Sequence, residues 1–119
     1  MLISSLYTKE LQSITDTSCQ ALVYFNPTHP LYAGHFPGQP ITPGVCLVLV
    51  ATELLSEAVG VPMRLASARQ IKFLQMHTPE HSLRFELLWT EEASHLRGRI
   101  SIFRDEICIA KIDAQFERI

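Results

Sequence analysis

The chain has 119 residues, 47% of them hydrophobic and 18% charged, with a formal net charge of −2. That length fits one domain, spanning residues 1–119, with a packed core, and a near-neutral charge gives no electrostatic reason to expect nucleic acid or an anionic membrane as a partner. Charged residues fall below the roughly 25% usual in such domains, so further surface is expected to be buried, most simply in an oligomer.

The three cysteines, Cys19, Cys46 and Cys108, are widely spaced and form no CxxC pair. Neither a zinc knuckle nor a disulfide framework is expected, and reduced thiols in a cytoplasmic protein fit best. Met1 to Leu11 has no basic leader, and Lys9 and Glu10 break its apolar stretch, so it does not read as a signal peptide. The longest apolar run, Val45 to Ala51, falls well short of the roughly 20 residues a bilayer needs.

Taken in order, Ser18 to Phe25 is rich in β-forming residues and predicts a strand, ended by Asn26-Pro27-Thr28-His29-Pro30. Residues 30–44 hold four of the seven prolines and three of the five glycines. Proline fixes φ, so this is expected to be an ordered loop. Val45 to Val59 follows, apolar on every face in its first half, with polar residues from Thr52 onward and Gly60 as a stop. Its length and its Glu53–Ala58 stretch predict a helix buried all round at its start and emerging at its end.

The remainder predicts strands. Leu65 to Met76 is one, followed by a turn at Pro79-Glu80. Ser82 to Thr90 is another, with Leu83, Phe85, Leu87 and Trp89 on one face. In His95 to Phe103, Leu96, Gly98, Ile100 and Ile102 oppose Arg97 and Arg99. Asp105-Glu106 makes a turn before Ile107 to Phe116. One buried helix against a bent antiparallel sheet is an α+β arrangement.

The densest motif is Gly34-His35-Phe36-Pro37-Gly38-Gln39-Pro40-Ile41-Thr42-Pro43-Gly44-Val45. It resembles the loop of the hot-dog-fold 3-hydroxyacyl-acyl-carrier-protein dehydratases of type II fatty-acid synthesis, the FabZ/FabA type, which reads roughly GHFPGxPxxPGV. Every fixed position of that loop is matched. His29 to Ala33 looks like the lead-in of that family. Ile71-Lys72-Phe73 and Thr78 to Phe85 look like its following strand and turn, with Glu80-His81 where Gly-Asp is usual.

The resemblance implies a hot-dog fold, a bent antiparallel sheet wrapped around one long central helix. It also implies a homodimer or mixed dimer, or a higher assembly, joined edge to edge. The acyl tunnel would lie at the interface, with Phe36, Pro43 and Leu49 among its walls. The implied substrate is an acyl chain on the phosphopantetheine of an acyl carrier protein, and no cofactor or metal is implied. In that family the loop histidine works with a carboxylate fourteen residues later on the partner's helix, and here that position is Leu49.

Dehydration of a 3-hydroxyacyl thioester needs a base for the α-proton, a donor for the thioester oxygen, and an acid for the leaving hydroxide. His35 has the right side chain for the base, although a loop histidine bonded only to backbone is the plainer reading. The Gly44 and Val45 N–H groups open the helix and lack intrahelical partners. For the acid, Glu53 lies one turn beyond Leu49 on the same face, about 5.4 Å away. His35 serving both steps, or another subunit of a mixed dimer, are the alternatives, and Glu53 as a solvated carboxylate is the plainer reading. Functionally, a dehydratase-like hydro-lyase of fatty-acid or polyketide-type synthesis leads. A silent acyl-binding partner subunit and a thioesterase using Glu53 are the alternatives.

Cys46, at the helix start, is either a thiol of lowered pKa or a small buried hydrophobe. His29, His77, His81 and His95 fall in or near turns, where solvated histidines are expected, and their spacing links no metal. Arg64, Arg69 and Arg104 are candidates to meet phosphopantetheine or an acidic carrier.

Overall fold

In the computed structural model, which describes residues 5–33 and 38–119, the chain forms strands β1 Tyr7–Ile14, β2 Ser18–Phe25, β3 Met63–Phe73, β4 Leu83–Glu92, β5 His95–Arg104 and β6 Ile107–Arg118. Between β2 and β3 lie helices α1 Pro30–Ala33 and α2 Gly44–Val59. The strands form one antiparallel sheet in the order β1-β2-β4-β5-β6-β3, so β1 and β3 are its edges. Register shifts in β1, β3 and at Ile102/Phe103 interrupt the ladder. Each adds local twist and bends the sheet around α2.

The alternation predicted for β4 and β5 holds. Leu83, Phe85, Leu87 and Trp89 are buried, as are Leu96, Ile100 and Ile102, while Arg97 and Arg99 lie on the opposite face. Helix α2 presses Leu47, Val50, Ala51, Leu54 and Leu55 into this face. That i, i+3, i+4 spacing makes one continuous stripe, and each large side chain in it contributes about 1.5–3 kcal/mol by burial. The helix is punctuated as expected. Pro43 precedes it with extended backbone, and Gly60 ends it at φ 81° with its N–H on the Ser56 carbonyl at 2.9 Å. The predicted turn at Asp105-Glu106 is present, with Asp105 at φ 53°.

Four expectations need correction. Strand β1 gave no sequence signal, because only Tyr7 and Leu11 in it are even half-buried. A four-residue helix, α1, opens the segment expected to be loop alone. Strand β3 ends at Phe73, and beyond it the Leu74 and Gln75 N–H groups both reach the Ile109 carbonyl. Finally, the start of α2 is not buried all round. Val45 is 64% exposed, and Val48 and Leu49 are only half-buried, because the side of the helix toward the free edge of β3 is open. The helix has two apolar stripes, one in the core and one uncovered.

Candidate functional site

The uncovered stripe of α2 forms one wall of a groove whose other wall is β3 and the turn leading into it. Val45, Val48, Leu49, Thr52 and Glu53 face Leu65 across it, and its volume is about 820 Å³. That size suits a small-molecule chain. Leu49 therefore sits in the groove, and Glu53 lines the same wall one turn on, as the spacing predicted. Pro43 stands at the head of α2 and is not among the groove's walls. His35 and Phe36 lie outside the described residues.

Glu53 is held from an unexpected side. The Tyr7 hydroxyl donates to Glu53 Oε1 at 2.6 Å, and two residues along β1 the Lys9 ammonium meets Glu57 at 2.7 Å. The alternation of a strand makes this possible, since Tyr7 and Lys9 share a face and Glu53 and Glu57 are neighbours on the helix. Burial pushes the Tyr7 phenol far above its ordinary pKa, and the adjoining Glu53 carboxylate adds to the shift. Tyr7 therefore remains a neutral donor throughout the working pH range. Nothing in Tyr7 or Lys9 marked them as site residues in the sequence, because they become neighbours of α2 only through pairing between β1 and β2.

At the head of the groove, Gly44 permits a close approach. A Cβ there would stand 2.5 Å from the tip of the half-exposed Phe73 ring, so glycine lets that ring lie against the first turn of α2 and a larger residue would displace it. The first turn has no side-chain cap, and among the described residues no acceptor meets the Gly44 or Val45 N–H. Burial raises the Cys46 thiol, so the small-hydrophobe reading of that residue holds.

The turn histidines divide. His29 is 7% and His77 3% exposed, against the expectation that both are solvated. His29 Nδ1 accepts from the Leu31 N–H at 3.0 Å and helps close α1. His77 lies beneath the Phe25 ring and carries a chain of buried hydrogen bonds to Thr42 and Tyr32. His81 and His95 are partly exposed, and His95 meets Glu92 at 2.9 Å. A cavity of about 300 Å³ near His95 and Arg118 lies at the other end of α2, away from Gly44. Among the described residues, no three His, Cys, Asp or Glu side chains are placed to hold a metal ion, and no helix is long and apolar enough to cross a membrane.

Comparison with known proteins agrees with this architecture. No curated protein sequence matches the chain. Among solved structures, the dehydratase heterocomplex ApeI:P from Xenorhabdus doucetiae superposes with a TM-score of 0.78 at 20% identity, covering 94% of this chain and 98% of that one. An uncharacterized protein from Erwinia carotovora subsp. atroseptica gives 0.72 at 21% identity, covering 96% of each chain. A hypothetical thioesterase with coenzyme A from Streptococcus pneumoniae gives 0.72 at 9% identity, covering 93% of this chain and 88% of that one. These likenesses establish the hot-dog fold. The sequence itself goes further, for residues 11–111 match a family model described as ApeI dehydratase. With that match running from β1 into β6, the chain belongs to the ApeI-like dehydratase family.

Proposed function

We propose that this protein dehydrates 3-hydroxyacyl thioesters presented by an acyl carrier protein, with the acyl chain in the groove between α2 and β3. The observation that carries the proposal is the groove itself. It is mostly apolar, begins at an uncapped helix start, and directly follows the Gly34–Val45 motif that this chain shares with FabZ/FabA-type enzymes.

In this reading His35 removes the α-proton, and the electrons released close the Cα–Cβ double bond as the β-hydroxyl departs. The Gly44 and Val45 N–H groups polarise the thioester oxygen, where negative charge develops. Glu53 lies about 12 Å along α2 from Val45, so the Glu53 that, in its protonated form, gives its proton to the departing hydroxide is that of the second subunit of the dimer, and water leaves. Tyr7 occupies one of its oxygens, and the other has no partner among the described residues. No cofactor takes part. The edge of β3 supports assembly into a dimer, homotypic or mixed. It is eleven residues long and leaves Ile71 and Phe73 exposed, and such an edge invites pairing.

A second reading has specific support, in which this chain is the acyl-binding partner of a mixed dimer whose other subunit supplies the acid. Leu49 in the groove favours it, as does the occurrence of a family relative in a heterocomplex. Purified chain is given a 3-hydroxyacyl thioester, and products are followed by mass spectrometry. The proposal expects loss of one water, with turnover falling about 10²–10⁴-fold in His35→Ala and in Glu53→Gln. Turnover only after a second hot-dog subunit is added selects the mixed dimer. Free acid as the product indicates a thioesterase, and full dehydration by His35→Ala refutes the assignment.

A further inference from the structure

Three buried polar side chains, linked through Thr42 just ahead of α2, play no part in the chemistry above. Tyr32 ends α1, Thr42 precedes α2, and His77 lies in the connection from β3 to β4. They are 5%, 4% and 3% exposed. The Tyr32 hydroxyl lies 2.8 Å from Thr42 Oγ1, which lies 2.8 Å from His77 Nδ1. His77 Nε2 is 2.7 Å from the His81 carbonyl oxygen, and the Thr42 N–H reaches the His77 carbonyl at 2.8 Å. Tyr32 and Thr42 stand on either side of His35 in sequence, so one histidine ties both flanks of the motif to the sheet.

The direction of each bond follows from the chemistry of the ends. A carbonyl only accepts, so His77 Nε2 carries a proton. Neutral imidazole then offers Nδ1 as an acceptor, which the Thr42 hydroxyl fills as donor. Thr42 oxygen in turn accepts from the Tyr32 hydroxyl. Every hydrogen has one place, and every buried side-chain polar atom among the described residues is satisfied. Protonating His77 breaks the chain. Nδ1 would then donate to Thr42, and one hydroxyl hydrogen would lose its acceptor inside the core: that of Thr42 if Tyr32 still donates to it, or that of Tyr32 if Thr42 turns to the Tyr32 oxygen. Losing a buried partner is expensive. Burial already holds His77 below its ordinary pKa. His81, Glu80 and Arg104 are the charged neighbours that act on it, and Cys46 acts on Tyr32.

We propose that His77, as the neutral Nε2–H tautomer, is a positioning residue that fixes the two flanks of the His35 motif through Thr42 and Tyr32. This rests on the reading of His35 as the base. The chain makes no contact with substrate in this account; it sets where the base stands. A displacement near 1 Å at a reacting group costs up to about 100-fold in rate, so a locked flank has a direct kinetic consequence.

The test uses the intact protein with Thr42→Val, Thr42→Ser and Tyr32→Phe. Nitrogen NMR of the histidine side chains reads the tautomer, hydrogen exchange reads the amides of residues 39–46, and turnover reads the chemistry. We expect an Nε2–H tautomer at neutral pH and faster exchange at 39–46 in Thr42→Val. We expect a kcat reduced about 10- to 100-fold with KM nearly unchanged, and return of both properties in Thr42→Ser. An Nδ1–H tautomer or an imidazolium at neutral pH overturns the proposal. So does unchanged exchange in Thr42→Val, or a kcat unchanged despite faster exchange. If wild-type protein shows no dehydration at all, the reading of His35 falls, while the tautomer and exchange measurements still decide whether the flanks are locked.

Discussion

Gly98 of β5 faces Phe116 of β6 and Leu55 of α2 in the core, and Gly98→Ala tests that packing. A Cβ at Gly98 would stand 2.9 Å from Phe116 Cε1, 3.2 Å from Cδ1 and 3.8 Å from Leu55 Cδ2. The first distance is 0.5 Å short of the 3.4 Å at which ordinary contact begins. Phe116 and Leu55 are fully buried, so neither ring nor methyl can swing into solvent. Two effects compete. Alanine reduces the freedom of the unfolded chain and stabilises by about 0.4–1 kcal/mol. Overpacking a closed core costs about 1–3 kcal/mol. The second wins, for a net loss of about 1–2 kcal/mol. For a chain of this size that lowers Tm by roughly 3–10 °C. Thermal and urea unfolding measure it, and Phe116→Leu supplies the control. With the ring removed the alanine has room, so the double variant should be more stable than the sum of the single losses predicts, by about 0.5 kcal/mol or more. A Gly98→Ala protein as stable as wild type, or a penalty unchanged in the Phe116→Leu background, would refute the packing argument.

Other outcomes follow from the site. Because the folded state holds the His77 pKa below its ordinary value near 6.5, the unfolded chain takes up a proton first as pH falls. Stability from this group is complete above about pH 6.5 and declines below it, with a slope of at most about 1.4 kcal/mol per pH unit. Urea unfolding across pH should show this decline in wild type and lose that part of it in His77→Gln. Tyr7→Phe removes the donor to Glu53, and should cost no more than about 0.5–1.5 kcal/mol in stability while lowering kcat with KM held. An unchanged kcat would argue against Glu53 as the acid. Leu49→Glu places a carboxylate where the FabZ/FabA loop spacing expects one. It should raise turnover of the purified chain, by up to about 10²–10⁴-fold if the acid is what limits it, at a cost near 1–2 kcal/mol for the lost half-buried leucine. No gain in rate would show that this position does not face the reacting carbon.

Much of the fold was legible because the core-facing strands are regular. Leu83 to Trp89 and Leu96 to Ile102 alternate without interruption, and Pro43 and Gly60 mark the ends of α2. Strand β1 was not legible, since its inward side carries Tyr7 and Lys9, which satisfy carboxylates and bury little. The free edge of β3 left the exposed stripe of α2 looking like core in the sequence, because a groove wall and a core face use the same residues. For the site, the motif announced Gly44 and Val45, and helical spacing put Leu49 and Glu53 on one wall. His77 was misjudged because a histidine in a turn is usually wet, and only the packing of Phe25 over it and the approach of Thr42 make it dry. Those contacts join residues 35 and 52 positions apart, and no local pattern encodes them.

Removal of an α-proton by His35 is the central claim, and solvent deuterium reads it without depending on which group serves as acid. The 3-hydroxyacyl thioester is brought to equilibrium with its 2-enoyl product in deuterium oxide by wild-type protein and, for the same time, exposed to His35→Ala. The α-carbon of the recovered 3-hydroxyacyl thioester, which gains solvent hydrogen only when the step runs backwards, is examined by NMR. Deuterium at that carbon with wild type, and none above background with His35→Ala, is the predicted result. Equal incorporation by both proteins, or none by wild type, would contradict it.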